Sequence, residues 1–149
     1  MENRPILPEE RSILSSFILP DGKGEMVDVE RFRQQRNLVV VFLPSPDAAL
    51  EGFLQKLSAA GDRLAYEEAV VVVVHEKKED LVRLKELGSA FILLADEGGT
   101  VIRRCSGPDV SVYITDRFRE VFAVRRGKSV FSVDEVLEWL VHINRQCPE

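Results

Sequence analysis

Three features of the 149-residue chain predict an α/β domain built on one central mixed sheet. Two continuously apolar runs rich in β-branched residues, Leu38 to Leu43 and Ala69 to Val74, read as strands buried on both faces. A helical stripe lies between them, which makes them a parallel pair joined by a right-handed crossover. Further on, two short apolar strands separated by Asp116-Arg117-Phe118-Arg119 form an antiparallel hairpin, and an amphipathic helix follows.

Each element has its own signal. Residues 1–16 read as an N-terminal arm and 17–149 as the domain. Phe17-Ile18-Leu19 leads through Pro20-Asp21-Gly22-Lys23-Gly24 to Met26 and Val27, a strand, a turn and a return strand. Val29 to Gln35 fits a short helical turn with Phe32 inward. After the first long strand, Ser45-Pro46-Asp47 is a helix start, with serine as N-cap, proline at the first helical position and an acid in the first turn. Leu50, Phe53, Leu54 and Leu57 share one face of that helix, and Gly61 stands near its expected end. Leu81, Leu84 and Leu87 mark another helix, closed by Gly88. Phe91 to Leu94 is a short apolar segment ending at Asp96. Ser111 to Thr115 and Glu120 to Val124 are the hairpin strands. Ser132 and Glu135 form a capping box, after which Val136, Trp139, Leu140 and Ile143 share an inward face and Cys147 continues the stripe.

The order is therefore β-α-β-α, an intervening segment, then β-β-α. A Rossmann-like or flavodoxin-like domain would continue with parallel βα units, and no phosphate-binding glycine pattern follows the first long strand. The closing hairpin and helix predict a thioredoxin-like three-layer fold, its central mixed sheet made of a parallel βαβ half and an antiparallel ββα half.

Composition narrows the function classes. A formal net charge of −5 argues against a nucleic-acid backbone as partner, despite local clusters at Arg103-Arg104 and Arg125-Arg126-Lys128. Neither a signal-peptide pattern nor an apolar run of membrane-spanning length is present, so a cytoplasmic protein without membrane association is expected. The two cysteines, Cys105 and Cys147, are far apart in sequence. With two histidines at these spacings they make no zinc site, and no cofactor is expected.

Phe17-x-Leu19-x-Asp21-Gly22 with Val27, and Leu38 to Phe42 followed by Pro44, resemble the alkyl hydroperoxide reductase/thiol-specific antioxidant (redoxin, peroxiredoxin-like) family. Leu94-x-Asp96 with Gly98 or Gly99 and Val101, and the strand Val112 to Thr115, are similar to later landmarks of that family. The resemblance implies a thiol-dependent peroxidase whose cysteine stands in Pro-x-x-x-Thr/Ser-x-x-Cys after the first long strand. Counting from Pro44, the hydroxyl position here is Ala48 and the cysteine position is Glu51. In a Cys-x-x-Cys register the two positions are Asp47 and Leu50. Neither register contains a thiol, and the family's cis-proline or arginine before the later strand would fall near Val110.

The expected site is thus a degenerate one, and this is decisive for thiol chemistry. Peroxide reduction needs a sulfur nucleophile activated at a helix N-terminus, whereas a carboxylate is a weak nucleophile and is not redox-active. Asp47 is read as a first-turn acid and Glu51 as a surface residue, the rival being a carboxylate at a retained pocket. Cys105 follows two arginines that would favour its thiolate if they lie close, or it is a plain structural cysteine. His75 and His142 have no motif partner and read as structural or surface groups. Three functions remain open: a non-catalytic domain that binds a protein partner or itself; a thiol oxidoreductase using Cys105 and Cys147; and small-ligand binding at Pro44, Asp47, Ala48, Leu50 and Glu51.

Overall fold

A computed structural model of the chain describes residues 10–44, 48–87, 90–127 and 130–146. Two short strands, β1 (Ile18–Pro20) and β2 (Met26–Asp28), pair as the expected hairpin, and Val29–Phe32 makes a single 3-10 turn. Then follow β3 (Asn37–Leu43), α1 (Ala48–Ala59), α2 (Gly61–Tyr66), β4 (Ala69–His75) and α3 (Asp80–Leu87). The second half contains β5 (Ile92–Ala95), α4 (Thr100–Cys105), β6 (Ser111–Thr115), β7 (Val121–Arg126) and α5 (Val133–Gln146).

The main sheet has the order β5-β4-β3-β6-β7. β3 and β4 run parallel with Val39 opposite Val71, while β3 and β6 run antiparallel with Val39 opposite Ile114. β6 and β7 form the antiparallel hairpin. A central strand must bury both faces, which is why β3 has no polar position after Asn37 and is buried throughout. Its residues divide by parity: Val39, Val41 and Leu43 face a core with α1, α3 and α5, whereas Leu38, Val40 and Phe42 face β1, β2 and α4. These are the three layers. The thioredoxin-like α/β fold is therefore the observed one.

Three local readings differ from the sequence expectation. Gly61 does not terminate a helix but opens α2, a one-and-a-half-turn extension of the crossover. The segment between α3 and the hairpin is a third parallel strand, β5, followed by α4, with Asp96 accepting the buried Ile102 N–H at 2.7 Å. Gly99 precedes α4 at a φ of 72°, and an added Cβ would stand 3.1 Å from the Arg103 guanidinium. Trp139 is only half-buried. Leu137 takes the inward position with Val136, Leu140 and Ile143, and the Trp139 ring stands perpendicular against exposed His142, centroids 5.6 Å apart.

The capping box is observed. Glu135 N–H donates to Ser132 Oγ at 3.1 Å, and Ser132 N–H donates to Glu135 Oε1 at 3.0 Å. Ser132→Ala is expected to lower stability by about 0.5–2 kcal/mol, read from a denaturation midpoint; an unchanged midpoint would show that the cap contributes nothing. The starts of α1 at Ser45 and Pro46 and the end of α3 at Gly88 lie outside the described residues.

Candidate functional site

The C-terminal ends of β3 and β4 and the first turns of α1 and α3 meet at one end of the sheet, as the crossover topology requires. Pro44 leaves β3 there. Ala48 opens α1, Leu50 is buried in the core, and Glu51 occupies the first helical turn. Asp47 lies outside the described residues.

Glu51 is not simply a surface residue. Its side chain retains 19% exposure, and Oε1 accepts a hydrogen bond from Arg83 Nη2 on α3 at 2.9 Å. Beside this pair, β4 ends on His75, which is 2% exposed. His75 Nδ1 accepts the Lys77 N–H at 2.9 Å, and Nε2 stands 3.5 Å from Asp80 Oδ2. An accepting Nδ1 places the proton on Nε2, toward the carboxylate, so the neutral ring has no lone pair left for a general base.

Glu51, His75, Asp80 and Arg83 enclose, with Leu43 and Leu84, a cavity of about 20 Å³. That is room for one water and not for an organic ligand. The group is a polar clasp between α1 and α3. Sequence reading reached Glu51 through its distance from Pro44 but missed Asp80 and Arg83. The available signal was topological, since α3 must begin beside the end of β4, on the same side as α1.

Burial lowers the His75 pKa below its ordinary 6.5, against the opposing pull of Asp80. The unfolded chain then takes up a proton near 6.5 that the folded chain resists. Stability is full above 6.5 and falls as the pH drops toward the lowered native value. Between about pH 7.5 and 5 the thermal midpoint should therefore fall, and the fall should be shallower in His75→Gln. Equal slopes would remove His75 from the acid response.

Cys105 is the remaining candidate among the described residues. It lies on α4 in the layer opposite α1 and α5, 1% exposed, beneath β6. Burial raises its thiol pKa, and the hydrogen bond and charge of Arg104 offset this only in part. The neighbouring arginines thus do not make a thiolate. Tyr113 Oη donates to the Cys105 carbonyl and receives a hydrogen bond from Arg126 Nη2 at 2.7 Å. Val110, near which the resemblance would place a cis-proline or arginine, is buried at the entry to β6. Cys147 lies outside the described residues. No group of three or more metal-ligating side chains occurs among the described residues, and no helix there is long and apolar enough to cross a membrane.

Neither a protein-family model nor any curated protein matches the sequence at a significant level. Solved structures do match. The chain is similar to peroxidoxin BcpB from Mycobacterium tuberculosis, with a TM-score of 0.75 over 94% of this chain and 98% of that one, at 18% identity. It is similar to the mitochondrial 2-Cys peroxiredoxin of Plasmodium falciparum, with a TM-score of 0.75 over 92% and 95% at 14% identity. Peroxiredoxin Q of Xanthomonas campestris gives 0.73 over 93% and 97% at 17% identity. The chain has the peroxiredoxin form of the thioredoxin fold. At these identities the likeness is one of fold.

Proposed function

We propose that the chain is a binding protein on a peroxiredoxin-type fold, without thiol-dependent peroxide chemistry at the segment after β3, and that it engages a protein partner or a second copy of itself. The observation that carries this reading is Glu51. It stands in the first turn of α1, where the resemblance places the reactive cysteine, and its carboxylate is tied to Arg83 at 2.9 Å. A carboxylate so paired has neither the nucleophilicity nor the redox chemistry of a thiolate. The cavity of about 20 Å³ beside it also disfavours a retained small-ligand pocket.

A relocated thiol enzyme is the weaker reading. Its attacking sulfur would be Cys105, which is buried, has a raised pKa, and packs on the face of the sheet opposite α5, the helix that leads to Cys147. Peroxide consumption with a thiol reductant is expected to stay at the background of a free thiol, in the unaltered protein and in Cys105→Ser alike. Robust turnover that disappears in Cys105→Ser would overturn the binding reading and promote the thiol enzyme.

A further inference from the structure

The two edges of the main sheet are finished differently. Beside β7, residues 11–14 run alongside the hairpin, with Arg11 N–H donating to the Val121 carbonyl at 2.6 Å and Leu14 N–H to that of Arg119 at 2.9 Å. Beside β5, only an isolated bridge between Asp21 and Leu94 is formed among the described residues. Ile92 and Leu93 point to opposite faces of the sheet, and both are only partly buried. Two successive residues incompletely covered on opposite faces mark an edge that lacks a further strand among the described residues, rather than an uncovered face.

Along that edge runs a channel of about 620 Å³ between the turn of the β1–β2 hairpin and α3. Its floor is apolar, formed by Val27, Leu81, Phe91, Ile92 and Leu93, and Val82 stands in its wall 69% exposed. Its rim carries four cations, Lys23, Arg31, Lys78 and Lys85, and none is in an ion pair among the described residues. Of the three rim acids, Asp21 is turned into the hairpin, where Oδ1 accepts the N–H groups of Lys23 and Glu25 at 2.8 and 3.0 Å. Its charge still counts, so four cations face three carboxylates, a local excess of one positive charge. The rim is thus locally positive on a chain whose net charge is −5.

We propose that this channel docks an extended acidic peptide segment of a partner protein, laid along the outer edge of β5. A strand-like occupant continues the backbone ladder that β5 leaves unfinished, its apolar residues cover Ile92, Leu93 and Val82, and its carboxylates meet the lysines. The docking role rests on the binding function proposed above. Its test needs no catalytic measurement, so failure of one does not decide the other.

The test is selection of a random nonapeptide display library on the full chain, followed by calorimetry and backbone amide shift mapping with the synthesised peptides. Enriched peptides should alternate acidic and apolar residues and perturb residues 91–93 and 78–85. Their affinity should weaken about tenfold or more in Val82→Glu and in Lys78→Glu with Lys85→Glu, exposed positions whose thermal midpoints serve as folding controls. Absence of enrichment, enrichment of basic or purely apolar peptides, shifts mapping away from β5 and α3, or affinity unchanged in both variants would overturn the assignment. Saturable binding of a long-chain carboxylate to the channel with no peptide selected would overturn it in favour of a small-molecule site.

Discussion

Replacing Glu51 by cysteine together with Ala48→Thr, in a Cys147→Ser background, is expected to create a thiol far more reactive than Cys105. The new sulfur would stand in the first turn of α1, where the helix dipole favours an anion. Arg83, now 2.9 Å from the Glu51 carboxylate, would be released from its partner and left to stabilise the thiolate. Cysteines in such settings titrate at about 7.5 or below, against about 8.5 for a free cysteine. The pH profile of iodoacetamide alkylation measures this directly, because Cys105 is buried and slow to react. Adding Arg83→Ala should move the profile back upward. A thiol titrating at or above the ordinary value with Arg83 in place would mean that this end of the sheet does not offer a thiolate site. It would also remove the main chemical argument for setting Glu51 at the position where the resemblance expects the reactive cysteine.

The largest loss of stability is expected from Phe42→Ala. Phe42 is fully buried on β3, edge-on to Tyr113 at 5.6 Å and tilted against Phe17 at 5.9 Å. It joins the central strand to both the neighbouring strand and the segment that leads into the β1–β2 hairpin. Deleting a large aromatic from such a position costs about 3–5 kcal/mol, part from lost transfer energy and part from the cavity left behind. Denaturant unfolding should show the midpoint fall with little change in slope. A loss under about 1 kcal/mol would mean that the hairpin layer does not pack on the sheet as described. Trp139, which the sequence places with the core, is expected to matter less than Phe42, because it is only partly buried and its ring rests against the exposed His142.

The sequence by itself determined the layers and most of the chain's path through them. β3 and β4 are legible because burial on two faces demands unbroken apolar runs, which few other structures demand. The hairpin β6–β7 and the start of α5 are legible because short connections and capping boxes are local chemistry. The distance from Pro44 to Glu51, and the lack of a thiol within it, are also facts of the sequence alone. Tertiary structure decided everything that depends on where one element sits against another. β5 is only four residues long, too short for its pattern to show that it pairs with β4. Trp139 and Leu137 both flank the stripe on α5, and only the seat of the helix against β6 and β7 chooses Leu137 for the core. Arg83 is 32 residues from Glu51, and nothing local in the chain links them. Their meeting follows from two parallel strands ending side by side, so that the helices that follow begin together. A contact of that kind is set by the geometry of the whole sheet, which no local pattern of residues encodes.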